Sequence, residues 1–411
     1  MITKDSNLDL SFYQYLSQPD CWQLFYNSAI LTQLPIALWR LPNSHQQELI
    51  IDFSGRLKKI NIDFATLPPG FILSPFVNQE GLSAFLVEAH LYLNHSTCTF
   101  LNNGGGINGS HILHNQTQFK NTLKELCVVD ENKKNGKFRN YPYNWYKRVS
   151  EMPVPLVTNE DYCVWVELAL AKIKKSELKK VVLSRSIEIE LRKSFNPLVL
   201  FENLCHAFPN AFVSLVALPG VGTWIGATPE LLMGIKNKAL TTVSLAGTKP
   251  VAVNAEINWG DKEIVEQAIV SDYIKACFLQ QNINHFTEEG PTTVQIGNLV
   301  HLQTKFSLKL SSDNLTIDVN RLLYALHPTP AVCGVPKQKA FRFIQEKESH
   351  NRELYSGFLG PVNLQEQSQL FVNLRCLQLQ KSSAILYAGS GITKDSIPEQ
   401  ESFETELKLK A

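Results

Sequence analysis

The stretch Lys180-Val181-Val182-Leu183-Ser184-Arg185-Ser186-Ile187-Glu188-Ile189-Glu190-Leu191 sorts its side chains onto two faces. Val181, Leu183, Ile187, Ile189 and Leu191 fall on one, while Lys180, Ser184, Ser186, Glu188 and Glu190 share the other with Val182. A period of two marks a β-strand that turns one face to a core. Downstream, strand-like runs recur at 211–218, 222–227 and 240–246.

Upstream, residues 1 to about 125 alternate short apolar runs such as Ile36-Ala37-Leu38-Trp39 and Phe71-Ile72-Leu73 with turn signals. Gly104-Gly105-Gly106 lacks the Lys-Ser/Thr of a phosphate loop and reads as a plain turn. His111 and His114 have no partner ligands nearby, so metal binding is not expected of them. Residues 130–148 are polar and read as a linker or mobile loop. A helix is predicted from an Asn159 cap to about Lys175, with Val164, Leu168 and Ile173 as its apolar positions. Another is predicted over 261–280, with Ile264, Val265, Ala268, Ile269 and Cys277 as its stripe. Near the C-terminus, 370–379 and 385–388 read as a hairpin that ends at Gly389-Ser390-Gly391. Ser396-Ile397-Pro398-Glu399 reads as the capping box of a last helix carrying Glu401, Glu404 and Lys408 on one side.

The 411 residues suffice for one large domain or two ordinary ones. Lys plus Arg number 39 against 38 acidic residues, so no broad field exists for nucleic acid or a membrane surface. An anionic ligand must therefore be gripped by local charge. Eight scattered cysteines without a C-x-x-C pair read as reduced thiols. Met1–Ser6 carries no apolar signal run, and a cytoplasmic protein is expected.

Several residues carry candidate chemistry. Lysine can serve as a base where its surroundings favour the neutral amine, which makes Lys180 a candidate. Glu230, set between Pro229 and the apolar run Leu231-Leu232-Met233, can keep its proton as a general acid must, or can cap a turn. The pairs Glu263/Glu266 and Glu401/Glu404 are each spaced by three, so each pair shares a helix face. Together they can hold a hard cation, or stand alone as solvated faces. Arg375, read as mid-strand between Leu374 and Cys376, needs an anionic partner, either a ligand or a structural carboxylate.

Nine motifs in order resemble the chorismate-utilising enzymes, most closely the isochorismate synthases, over residues 155–408. They begin Lys180-Val181-Val182-Leu183-Ser184-Arg185, Ala227-Thr228-Pro229-Glu230, Leu245-Ala246-Gly247-Thr248 and Lys262-Glu263-Ile264-Val265-Glu266. His327-Pro328-Thr329-Pro330-Ala331 and Glu353-Leu354-Tyr355-Ser356-Gly357 follow. Leu374-Arg375-Cys376, Ala388-Gly389-Ser390-Gly391 and Glu401-Ser402-Phe403-Glu404-Thr405 complete the set.

The resemblance implies an α+β fold of two stacked antiparallel sheets with peripheral helices in a single large domain. Residues 1–150 would complete the sandwich and 155–408 would form the chorismate-binding catalytic region. It implies Lys180 as the base that activates water at ring carbon 2 and Glu230 as the acid toward the carbon 4 hydroxyl. It implies Glu266 and Glu404 as Mg²⁺ ligands, supported by Glu263 and Glu401. Tyr355, Arg375, Gly389 and Gly391 would bind the enolpyruvyl carboxylate. Gly247, Thr248 and Lys408 would position the substrate, and His327 would line the pocket. The substrate would be chorismate and the protein a monomer.

Lys180 stands where relatives using ammonia carry another residue, and Ala246 where aminodeoxychorismate synthases carry lysine. Ala331 stands where relatives that also eliminate pyruvate tend to carry threonine. Gln267 departs from the histidine that many relatives place after the metal glutamate. The alternatives are a salicylate synthase, an anthranilate synthase component and a non-catalytic chorismate-binding protein. The pathway served, whether menaquinone, siderophore or salicylate, is not legible.

Overall fold

A computed structural model describes residues 18–77, 83–94, 97–101, 109–130, 135–138, 144–146, 157–251, 257–297, 299–310 and 317–410. Among them, two large antiparallel sheets pack face to face. The first has ten strands in the order Gly334–Val335, Lys180–Glu190, Ser383–Ile392, Cys376–Leu379, Gly222–Thr228, Phe212–Leu218, Ile36–Arg40, Gln47–Ile51, Leu91–Asn94 and Cys98–Phe100. The second has nine: Thr287–Ile296, Leu299–Lys309, Ala239–Pro250, Leu231–Lys236, Ser368–Val372, Phe358–Val362, Gly70–Ser74, Ser83–Glu88 and Lys58–Asn61. The α+β sandwich expected from the resemblance is present, and strands from before residue 125 lie in both sheets.

Aromatic side chains fill the space between the sheets. Phe212 and Phe371, one from each sheet, stack with centroids 4.2 Å apart, and Trp39 meets Phe71 at 5.4 Å. Such rings bury a large apolar area in fixed geometry. Helices Gln18–Leu31, Gly109–Leu126 and Pro197–Ala207 cover the outer face of the ten-stranded sheet. Asp261–Gln280 and Val319–Leu326 cover the other sheet. Asn159–Lys174 and Lys337–Lys347 pack on Val181 and Leu183. The strand read at 180–191 is present as Lys180–Glu190, but burial does not alternate along it: residues 180–186 are buried on both faces, Lys180, Ser184 and Ser186 included, and Ile189 is exposed.

Four local readings are corrected. Thr158, not Asn159, caps its helix, in a capping box with Asp161, and the buried positions are Tyr162, Val166 and Ala169 while Val164 and Leu168 are exposed. The 261–280 helix buries Gln267, Val270, Ser271, Ile274, Cys277 and Phe278, leaving Ile264 and Val265 exposed. Its face is rotated because Gln267 Nε2 donates to Ser244 Oγ and Thr304 Oγ1, which anchors a polar residue inward. Residues 370–379 are not one hairpin arm: Ser368–Val372 and Cys376–Leu379 lie in different sheets, and only the latter pairs with Ser383–Ile392. Gly389 and Gly391 do not end that strand but sit inside it, opposite Ser184 and Val182.

Ser396 Oγ accepts from Thr393 N in a turn just before the final helix, Pro398–Lys410. Gly104-Gly105-Gly106 and much of the 130–148 loop lie outside the described residues. Within that loop, Trp145 and Tyr146 dock on the core: Trp145 Nε1 donates to Gln380 O and Tyr146 Oη to Leu34 O. His111 and His114 are exposed on the Gly109–Leu126 helix.

Candidate active site

The chain crosses between the sheets at two adjacent places. Pro229-Glu230 links Gly222–Thr228 to Leu231–Lys236, and Asn373-Leu374-Arg375 links Ser368–Val372 to Cys376–Leu379. The crossings bond to each other: Val372 N donates to Glu230 O at 2.9 Å, and Ala227 N to Arg375 O at 3.1 Å. Gly226 permits this approach, since a Cβ there would lie 2.9 Å from Arg375 O. Arg375 is thus not mid-strand. It turns at φ 49°, a left-handed conformation that releases its side chain from both pleats.

A cleft opens beside these crossings. It encloses about 690 Å³, counting the part open to solvent, which is within the range of small-molecule sites. Glu230, Gly247, Thr248, Glu266, Tyr355, Arg375, Gly389, Gly391, Glu404 and Lys408 all line it. Ten separated residues singled out in the sequence converge there. Lys180 and His327 are not on its surface. Lys180 is fully buried one layer back, with Nζ 2.8 Å from Glu266 Oε1. Gly391 keeps that layer open, because a Cβ there would collide with Glu266 Oε1 and lie 3.1 Å from Lys180 Cε. His327 packs edge-on against Phe358 with centroids 4.8 Å apart, and its imidazole is held to about 3, mainly by burial. It supports the wall from the core rather than forming it.

Glu230 is 2% exposed, and Thr329 Oγ1 donates to its Oε1 at 3.3 Å. Burial lifts its pKa to about 7 against the opposing pull of the Thr329 bond and the Lys180 charge. Burial beside apolar groups favours the protonated carboxyl at this position. For Glu266, burial pushes the same way, but Lys180 overcomes it and the carboxyl ends below its ordinary value. Arg375 has no hydrogen-bond or ion-pair partner among the described residues, and burial lowers it to about 10, still cationic at neutral pH. An unpaired guanidinium facing a cleft is a ready receptor for a carboxylate. Lys408 bridges Glu404 Oε1 (2.6 Å) and Gly389 O (2.8 Å).

The four glutamates do not behave alike. Glu266 and Glu404 face the cleft. Glu401 is buried behind it, paired with Lys262, and its Oε2 has no hydrogen-bond partner. Burial and then Glu404 raise its pKa. Glu263 Oε2 accepts Gly260 N at 2.9 Å and so caps its own helix. Glu266 and Glu404 offer the cleft anionic oxygens of the kind that Mg²⁺ takes as ligands. Among the described residues, no three His, Cys, Asp or Glu side chains gather closely enough to hold an ion alone.

His301 was missed in the sequence. It lines the cleft, its Nδ1 lies 3.0 Å from Gly247 O, and burial, with Arg375 and Lys408 nearby, holds it down to about 3. Its Nδ1–H donates to that carbonyl, so the buried Nε2, which has no partner, is an acceptor. The available signal was one polar residue in the apolar run Leu299-Val300-His301-Leu302.

Two stacked antiparallel sheets and a cleft lined by Glu230, Glu266, Arg375, Glu404 and Lys408 define the class of protein. Residues 70–411 match the model of the chorismate binding enzyme family, and the chain belongs to that family. The vibriobactin-specific isochorismate synthase of Vibrio cholerae serotype O1 is 28% identical over 279 residues, 66% of this chain and 70% of that protein. Isochorismate synthase DhbC of Bacillus subtilis is 30% identical over 270 residues, 62% of this chain and 67% of that one. The structure of MenF, the menaquinone-specific isochorismate synthase from Escherichia coli, shares the fold, with TM-score 0.70 at 23% identity over 94% of this chain and 89% of the other. No described helix is long and apolar enough to cross a membrane.

Proposed function

We propose that this protein is an isochorismate synthase that converts chorismate to isochorismate. The observation that carries the reading is the convergence of Glu230, Glu266, Arg375, Glu404 and Lys408 on one cleft, with Lys180 buried directly behind Glu266. The reaction adds water at ring carbon 2 and expels the carbon 4 hydroxyl while both ring double bonds shift, the pair at carbons 1 and 2 moving to 1 and 6 and the pair at 5 and 6 moving to 4 and 5. Lys180, once it has released its ammonium proton, would act as the base toward the attacking water, and Glu230 would give a proton to the departing hydroxyl. One water enters and one leaves, so no redox partner is required.

Chorismate is a dianion. Arg375 takes one carboxylate through its fork, with Tyr355 beside it. Glu266 and Glu404 would hold Mg²⁺, which supplies positive charge for the ring carboxylate. Lys180 and that cation would share Glu266.

Incubating the pure protein with chorismate and Mg²⁺ and separating the products tests the reading. Isochorismate alone is expected. Salicylate with pyruvate would replace it by a salicylate synthase, and anthranilate formed with ammonia by an anthranilate synthase component. Binding without turnover would leave a chorismate-binding protein. Glu404→Gln should raise the Mg²⁺ needed for half-maximal activity by about tenfold, through loss of one anionic ligand. An unchanged titration would remove Glu404 from the metal site.

A further inference from the structure

Behind the cleft lies a buried ion pair to which the proposed chemistry assigns no part. Arg352 Nε donates to Glu348 Oε2 at 2.8 Å, and Nη2 donates to Glu348 Oε1. The remaining donors go to two backbone carbonyls from separate elements: Nη1 to Val332 O and Nη2 to Val182 O, both at 2.8 Å. The guanidinium lies 4.3 Å from the centroid of Phe76 and 5.9 Å from that of Tyr355. Glu348 Oε1 in turn accepts Ser184 N at 2.7 Å and Ser184 Oγ at 3.0 Å.

Both carbonyls belong to walls of the cleft. Val182 is two residues from Lys180 on the same strand and lines the cavity. Val332 also lines it, and its turn is closed by Val332 N and Cys333 N donating to Thr329 O at 3.1 and 2.9 Å. Thr329 is the residue whose hydroxyl holds Glu230. One guanidinium thus ties the strand bearing the amine to the turn that fixes the carboxyl, and it stacks near Tyr355 as a third wall.

A buried ion pair is a poor device for stability alone, since apolar residues of similar volume often serve as well. No apolar group, and no single ammonium, could satisfy both carbonyls and the carboxylate from one plane. We infer that Arg352, oriented by Glu348, is a positioning residue that sets the separation of the base and acid walls. The inference rests on the isochorismate synthase reading.

The test compares wild type, Arg352→Lys and Glu348→Gln for kcat, for chorismate affinity by calorimetry and for thermal midpoint. Arg352→Lys keeps the charge and loses the fork, whereas Glu348→Gln keeps an acceptor and loses the charge. For a folded variant, kcat should fall about 100-fold, the scale of a small misplacement of reacting groups, while affinity stays within about threefold. Unchanged kcat in folded Arg352→Lys overturns the positioning role. So does an affinity loss matching the kcat loss, or failure of both variants to fold, because the pair is then only structural. A wild-type protein that makes no isochorismate overturns the reaction reading, and this inference with it. A competent wild type beside an unimpaired variant overturns the inference alone.

Discussion

At Asp52 and at His90 the chain passes between the two sheets, as it does at Glu230 and at Arg375. Both regions bury charged side chains between the layers, but they saturate them differently. Asp52, 0% exposed, accepts Ser54 N at 2.7 Å and Glu88 N at 3.1 Å. His90 Nδ1 lies 3.1 Å and Lys58 Nζ 3.8 Å from the same carboxylate. The carboxylate is met only by groups of the chain, although His90 Nδ1 makes no well-aligned hydrogen bond to it. Around Glu230, Arg375 lacks a hydrogen-bonded partner, and both Glu401 Oε2 and His301 Nε2 are orphaned. Orphaned buried polar groups are costly, and at a cleft they mark where a ligand completes the network. In the first region the buried carboxylate is met by protein groups, whereas in the second Arg375 lines a cleft with no partner among the described residues.

Substitutions should separate the two. Lys180→Ala or Glu230→Gln should lower kcat by about 10²–10⁴-fold, the usual worth of a positioned acid or base, and leave a folded protein. Residual turnover near wild type in either variant would remove that residue from its role. Asp52→Asn should do the reverse. Breaking a buried, paired carboxylate costs about 3–5 kcal/mol of stability, and kcat per folded molecule should not move. Chemical denaturation alongside activity measured on the folded fraction decides this.

Arg375→Lys keeps charge but loses the bidentate fork, so chorismate affinity should fall about tenfold, with little change in thermal midpoint. A lowered midpoint with unchanged affinity would make Arg375 a structural cation.

The smallest effects are in pH, and they carry opposite signs. Burial raises Glu230 from 4.5 to about 7, so both its acid function and its contribution to stability are present at low pH and lost as pH rises through about 7. Burial also opposes ionisation of Asp52, but His90, Lys58 and Ser54 outweigh it and its pKa falls below 3.8. Its contribution is present above that value and lost as pH falls through the lowered one. In Glu230→Gln, the decline in stability between pH 4.5 and about 7 should flatten, and in Asp52→Asn the acid-side decline should.

Much of the site was legible because its residue types conflict with their neighbours. Glu230 before an apolar run, Arg375 between Leu374 and Cys376, and two acidic pairs all stand out in a linear reading. Gly389 and Gly391 were legible as site residues, but their setting was not: a glycine inside a strand looks like a turn until its cross-strand neighbours are known. The 261–280 stripe was misplaced because buried Gln267 binds partners from distant strands. His301 and Arg352 gave little signal, since their burial comes from segments distant in the chain.

By itself the chain determined that strands and helices of these kinds occur, which residues are ionisable, and the order in which they occur, because these follow from local spacing and side-chain chemistry. Only tertiary packing decided that the amine would stand a layer behind the cleft, that the arginine would sit at a crossing between sheets, and which buried charges would be left without a partner. Burial and contact depend on segments far apart in the chain, and it is the sandwich that brings them within hydrogen-bond reach.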